Sequence, residues 1–429
     1  MGGGEGEGGM WSFQMKILKY QLIIALLLLS CSAPMHQTID TVHAPSPHPS
    51  PLRGEGDLTK VDKKLFAAQV LLFKSATYEE LKEEMAEMKR SGVNVVIVRV
   101  FQNKGDRIHL FAKNGVSNKQ QTGVYFKSSI APVVDDVLTK IIEIGHSQGI
   151  QVYAWMTTRK MDWKWSDTPK WRDSAYDLKA KTFTHSSGLD LFNQEVQDYI
   201  IALYMEIAAS GADGILIQDD LVYRHIEGFG EAARRSYYNT FGFALRPENL
   251  YQGIYEGSKG KYYVKNYTPL FWKWAEWKNQ NITLFLDSLV RETRRVTPHM
   301  KIVLNLYYET IINPKNGIAW FAQDLTSLKD INIDYYAVMA YHRQIMKEKN
   351  LSLDAAFEMI SDITRKGLAA IGKGDKLLMK VQTIDWDTRE AVPADELIKV
   401  FEAIKRGGDV SLAYVQNGNS APKIFLDKM

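Results

Sequence analysis

Beyond Lys63 the chain alternates short, β-branched apolar runs with longer segments of helical periodicity, eight times over. That alternation admits few folds, because each run needs a crossover helix to reach a parallel neighbour. The strand candidates occupy 67–73, 94–101, 151–156, 213–218, 301–306, 334–340, 376–382 and 409–415. Between them, Thr77 and Glu80 form a capping-box pair ahead of Leu81, Met85 and Met88. Val134, Val137, Leu138, Ile141 and Ile144 share one helical face, as do Val196, Tyr199, Ile200, Leu203 and Ile207. Gly92, Gly149 and Gly211 fall between a helix end and the next strand, where a C′ glycine belongs. The reading is an α/β protein built as a single (β/α)8 TIM barrel over 63–429. No G-x-G-x-x-G follows the first run, which removes an open dinucleotide-binding sheet.

One connection departs from the pattern. Between Asp220 and the helix expected near 271–296 the chain far exceeds the usual link of about 2–6 residues. It carries Tyr223, His225, Phe229, Tyr237, Tyr238, Phe241, Phe243, Tyr251, Tyr255, Tyr262 and Tyr263. Such a long insertion after strand 4 begins at the barrel mouth, and it is expected to wall an open groove with these aromatic rings.

The N-terminal 63 residues read differently. Lys16 and Lys19 precede the apolar run 22–29, which ends Ser30-Cys31. A basic region, a short apolar core and a small residue make a secretory signal, and the run falls short of the roughly 20 residues of a membrane span. The Leu-Leu-Ser-Cys ending resembles a bacterial lipobox, so 1–31 is read as an upstream extension plus a lipoprotein signal peptide, with translation starting at Met15 or Met10. Cys31 is the sole cysteine, which excludes structural disulfides and marks it for lipidation. Ser32, in place of an aspartate, matches the pattern routed to the outer membrane. Five of the thirteen prolines lie between Ser32 and Asp57, so 32–62 is read as a Pro/Ser/His-rich tether.

In such barrels the reacting groups stand at the C-terminal strand ends. The fourth strand ends Gln218-Asp219-Asp220, two adjacent carboxylates closing an apolar run. The fifth ends Asn305-Leu306-Tyr307-Tyr308-Glu309, and alternation puts Asn305, Tyr307 and Glu309 on one side. Arg99 and Gln102, Trp155 and Arg159, and Gln382, Asp385 and Trp386 close the second, third and seventh. Carboxylates, amides and aromatic rings are what glycoside hydrolysis requires. Period-2 counting aligns Asp220 with Leu216 and Gln218 on the lumen side, which makes Asp220 the expected general acid. Asp219 and Glu309 complete the catalytic set. The histidines show no metal-ligand spacing, and no Gly-x-Ser-x-Gly elbow is present, so neither metal nor cofactor is expected. A net charge of +3 without a basic block argues against nucleic acid.

The segment Leu189-Asp190-Leu191-Phe192-Asn193-Gln194-Glu195-Val196, followed by Gly211-Ala212-Asp213-Gly214-Ile215-Leu216-Ile217-Gln218-Asp219-Asp220, resembles the C-terminal hydrolase domain of the PgaB family. Val152 to Met156, Asn305 to Glu309, Asn313-Pro314, Trp320 to Gln323, and Gln382 with Asp385-Trp386 match in the same order. The likeness spans about 65–416. Gln218 stands where that family has a histidine. The family's N-terminal metal-dependent deacetylase domain is expected to be missing, since a signal and a tether occupy the stretch ahead of the barrel.

The resemblance implies an endo-acting hydrolase of poly-β-1,6-(N-acetyl)glucosamine, preferring partially de-N-acetylated polymer, in biofilm matrix processing or export. It implies that Asp219 and Asp220 serve catalysis and the substrate ammonium, with Glu309 as partner carboxylate. Trp155, Tyr307 and Trp386 would stack on sugar rings, and Arg99, Gln102, Arg159, Asn305, Gln382 and Asp385 would complete the substrate site. The expected partners are an amino-sugar polysaccharide, the outer membrane through lipid on Cys31, and an exopolysaccharide export porin. The alternative is a non-catalytic lipoprotein that uses the same groove to guide polymer.

Overall fold

Eight parallel strands close on themselves in the computed structural model, which describes residues 64–416 apart from 107–108, 110–120, 166–167 and 258–259. The barrel strands are β1 (Phe66–Val70), β2 (Val95–Arg99), β3 (Gln151–Met156), β4 (Gly214–Ile217), β5 (Lys301–Tyr307), β6 (Tyr335–Met339), β7 (Leu377–Gln382) and β8 (Ser411–Gln416). Closure is made by β8 against β1, with Ala67 beside Ala413 and Gln69 beside Val415. The eight expected runs are the eight strands. Residues 1–63, with Cys31 and the tether, lie outside the described residues.

Each strand is buried on both faces, so its alternation sorts side chains between two cores. Leu216, Val303, Ala337, Leu378 and Ala413 fill the lumen with Val95, Ile97 and Tyr153. Ile215, Ile217, Ile302 and Leu304 point outward into the layer beneath the helices. The helices form for local reasons. Thr77 Oγ1 accepts from the Glu80 amide at 3.1 Å, a cap worth about 1 kcal/mol, and seats Leu81, Met85 and Met88 on the sheet. The next helix begins at Val137 rather than Val134. Val134 instead donates its amide to the Val124 carbonyl at 2.8 Å, extending a short ladder that a helix would break. Gly211 (φ +90°) turns the chain from helix Gln194–Ala208 into β4 in a backbone region that favours glycine.

Besides a long connection after β2, two more rise from the strand ends, after β3 and β4. After β3 the chain makes a hairpin of Arg172–Asp177 against Thr182–Leu189, which periodicity did not disclose. After β4 it makes helix Glu231–Phe241 and a second hairpin, Tyr251–Glu256 against Tyr262–Tyr267, before the long helix Pro269–Val296. Tyr176, Phe229, Tyr237, Tyr251, Phe271, Trp274 and Trp277 pack into a core of their own. Each such ring, fully buried, stabilises by roughly 1.5–3 kcal/mol. The aromatics of the insertion therefore build a subdomain. Phe229, Tyr237 and Tyr251 are buried inside it and Tyr223 is buried in the layer beneath the helices, so these four do not face a groove as expected.

Candidate active site

Strand β4 stops at Ile217, and with it stops the alternation that pairs Asp220 with Gln218. The Gln218 amide oxygen stays with the lumen and accepts from Trp155 Nε1. Asp219 then swings outward, half-buried, into two clefts that share it together with Arg224 and Tyr307. The larger, about 460 Å³, is lined by Glu309, Trp320, Tyr341, Glu348 and Lys349 among others. The smaller, about 100 Å³, runs toward Lys160, Gly188 and Glu227.

Asp220 borders the smaller cleft but is absent from the larger, and the β3 loop takes up its carboxylate. Its carboxylate accepts from the amides of Thr158 (3.0 Å), Arg159 (2.8 Å) and Lys160 (2.7 Å). It also accepts from the hydroxyls of Thr157 (2.7 Å) and Thr158 (2.8 Å). Five donors on two oxygens leave no lone pair directed at a sugar. Asp220 is thus the clamp of the β3 loop, and the acid role expected of it does not fit its surroundings.

Asp219 has a different environment. Tyr307 lies flat on Phe321, ring centroids 3.9 Å apart and planes 5° from parallel. The Arg224 guanidinium covers both rings at 5.1 and 5.0 Å and donates to the Tyr307 hydroxyl at 2.9 Å. That hydroxyl in turn reaches Asp219 Oδ2 at 3.4 Å. Burial, reinforced by the Asp219 charge, pushes the Tyr307 phenol well up, so it stays a neutral hydrogen-bond donor near neutral pH. Glu309 opens a short helix, Glu309–Ile312, nearly buried on the floor of the larger cleft, 3.3 Å from the Lys349 ammonium. Glu348 accepts from the Tyr308 hydroxyl at 2.7 Å. Trp320, 40% exposed, offers an open face beside them and stacks on His225 at 5.7 Å.

The other expected substrate residues divide. Arg159 borders the smaller cleft, but its guanidinium faces the protein. It donates to the carbonyls of Leu189 (2.9 Å) and Val222 and pairs with Asp173 (2.9 Å) and Glu227 (3.2 Å). Its plane covers Tyr223 at 3.9 Å, so it pins both connections to the barrel. Arg99 and Gln102 are buried with Asp106 and Tyr125, away from both clefts. Asn305 lies in the lumen and donates to the Ile217 carbonyl at 2.9 Å. Gln382 is buried and bonded to the Ile384 carbonyl. Asp385 accepts from the Thr388 and Asp387 amides and from Arg343, which together hold its carboxyl below the usual range. Trp386 packs edge-on against Tyr341 at 5.5 Å, on the cleft-facing end of the lumen. Trp155 caps that lumen edge-on to Phe101. Asp219, Glu309 and Tyr307 meet in one cleft. Among the described residues no group of three or more His, Cys, Asp and Glu side chains is disposed to hold a metal ion.

Arg224, Glu348, Lys349 and Lys380 did not stand out in the sequence as site residues. Lys380 carried the clearest signal, a lysine at the centre of the apolar run Leu377-Leu378-Met379-Lys380-Val381, where a cation must find a partner.

Carboxylates, a phenol and an open indole at the C-terminal mouth of a closed (β/α)8 barrel suit a glycoside hydrolase. The chain belongs to hypothetical glycosyl hydrolase family 13 (GHL13), whose model matches residues 78–415. Its structure is similar to the PgaB (BpsB) glycoside hydrolase domain from Bordetella bronchiseptica: TM-score 0.62 at 17% identity, over 85% of this chain and 95% of that one. It is also similar to the β-amylase catalytic domain from Paenibacillus polymyxa: TM-score 0.53 at 12% identity, over 82% and 92% of the two chains. At these identities the likeness is one of fold. A search of curated proteins finds no match.

Proposed function

We propose that the protein is an endo-acting hydrolase of a poly-β-1,6-(N-acetyl)glucosamine-type polysaccharide, preferring partially de-N-acetylated polymer. The observation that carries this reading is the half-buried Asp219, facing a cleft shared with Glu309, Glu348 and the exposed face of Trp320. Asp219 and Glu309 supply the two carboxylates that an oxocarbenium-like transition state requires. Tyr307 and Arg224 orient Asp219. A glucosamine ammonium is attracted to the same acidic lining, while an acetylated unit gains no such pairing. The likeness to a PgaB hydrolase domain supports the choice of polymer.

Incubating the protein with partially de-N-acetylated polymer is expected to release shorter oligosaccharides, seen by mass spectrometry, faster than from fully acetylated polymer. Retention of the polymer without any shortening would replace this reading with that of a polymer-guiding protein. Trp320→Ala should weaken polymer binding roughly tenfold, as loss of a contact aromatic typically does. An unchanged affinity would remove the indole from the sugar path.

The proposal extends to place. Lipid on Cys31 would hold the enzyme on the periplasmic face of the outer membrane, within reach of an exopolysaccharide export porin. Cys31→Ser is expected to abolish lipid labelling and move the protein to the soluble fraction. Unchanged membrane fractionation would mean that another segment is the anchor.

A further inference from the structure

Beneath the site lies a cation that no step above uses. Lys380, 2% exposed, points from β7 into the lumen and lines neither cleft. Its ammonium donates to Asn305 Oδ1 at 2.7 Å. Asn305 in turn donates to the carbonyl of Ile217, two residues before Asp219. The Asn305 carbonyl accepts from Gln323 Nε2 at 3.2 Å, and Gln323 also contacts the Tyr307 amide and the Thr310 hydroxyl. On the far side the ammonium lies 5.8 Å from the ring of Tyr341, which lines the larger cleft beside Asp219. The cation is thus built into the framework that holds Asp219 and Tyr307.

A buried lysine is costly unless something exploits its charge. Hydrogen-bonding a neutral amide needs no ammonium, since a second amide would serve. The charge acting on Lys380 is that of Asp219, at the end of β4. From β5 and β6 the groups facing this pair are Tyr307 and Tyr341, and Arg224 reaches Tyr307 from the insertion. Burial presses the Lys380 ammonium down to about 8, and Asp219 opposes that fall.

We propose that Lys380 is a positioning residue for the hydrolysis, its ammonium holding Asp219 in place from inside the barrel, where no sugar reaches. This rests on Asp219 being a reacting carboxylate, and the test separates the two claims. Lys380→Met is expected to lower kcat at least about tenfold, with KM little changed, since one pKa unit of interaction corresponds to a tenfold factor. Wild-type kcat should fall above about pH 8 as the ammonium deprotonates. That alkaline limb should be absent in Lys380→Met. Lys380→Arg keeps a permanent charge, so it should recover much of kcat and also lack the limb. Lys380→Gln serves as a second uncharged variant, and thermal melting identifies any variant that fails to fold.

A readout independent of turnover is the ¹³Cε resonance of Lys380, assigned by its loss in Lys380→Met. It should titrate near pH 8 in the wild type and at lower pH in Asp219→Asn. Wild-type kcat and an intact limb in Lys380→Met, or a resonance indifferent to Asp219→Asn, overturn the role of Lys380. A wild-type rate in Asp219→Asn overturns instead the reading on which it rests.

Discussion

Asp219→Asn is expected to slow polymer cleavage by about a thousandfold, the scale set by losing a carboxylate that takes part in proton transfer. Asparagine keeps the size and the planar shape, but it neither carries charge nor exchanges a proton. Affinity for the polymer should change by a few-fold only, because one half-exposed ion pair is worth about 1 kcal/mol at most. The melting temperature should fall only modestly. The Asp219 carboxylate receives one long hydrogen bond, from Tyr307 at 3.4 Å, and the Lys380 ammonium loses a nearby countercharge but keeps its bond to Asn305. Glu309→Gln should also depress the rate, and the double variant should lie well above the product of the two losses, since groups acting as a unit are not additive. Oligosaccharide release at fixed polymer concentration reads all three. A rate above a tenth of wild type in Asp219→Asn would remove that carboxylate from the chemistry.

The barrel was legible because its signals are local and repeat. Eight apolar runs stand at the spacing of βα units, and glycines such as Gly92 (φ +82°) occupy positions that only the turn from helix to strand explains. The hairpin after β3 was not legible. Its strand Thr182–Leu189 is largely exposed over its first half, so it carries no buried face from which alternation could be read. The insertion after β4 was visible as a break in spacing, but its aromatic wealth pointed to a groove wall, whereas Phe229, Tyr237 and Tyr251 form a core and Tyr238, Phe243, Tyr255 and Tyr263 stay exposed. Composition cannot tell a ring that packs on Trp274 from one that awaits a sugar.

Of the carboxylates expected at the strand ends, Asp219 and Glu309 line the larger cleft, and the orientation of Asp220 was missed for a definite reason. Period-2 counting holds only while backbone pairing holds the pleat, and β4 pairs no further than Ile217. Gln218 still follows the count, with its amide under Trp155. Two residues later the count has no physical basis. Arg159 illustrates a second limit. A charged residue at a strand end invites a substrate role, yet the partners that claim this guanidinium come from Asp173, Leu189, Val222 and Glu227, none of them near it in sequence.

Asp220→Asn tests that distinction by failing differently from its neighbour. Three backbone amides and two hydroxyls converge on the wild-type carboxylate, at 2.7 to 3.0 Å at closest approach. An asparagine presents one acceptor oxygen and turns an NH2 group toward donors, leaving buried N–H groups opposed rather than satisfied. The Asp220 side chain is 5% exposed, so water does not readily replace the lost partners. The expected cost is about 3–5 kcal/mol, the range for breaking a buried, charge-assisted cluster. For a barrel of this size that is a melting decrease on the order of 5 °C. Because Arg159 sits in the clamped loop and ties both connections to the barrel, the loosening should spread. Limited proteolysis should cut within residues 157–193 sooner than it does in the wild type. Whatever fraction of Asp220→Asn remains folded should cleave polymer with a KM raised more than kcat is lowered, since its Asp219 and Glu309 are intact but poorly placed. A variant with wild-type melting and a thousandfold loss of kcat would reverse the assignment and return the reacting role to Asp220.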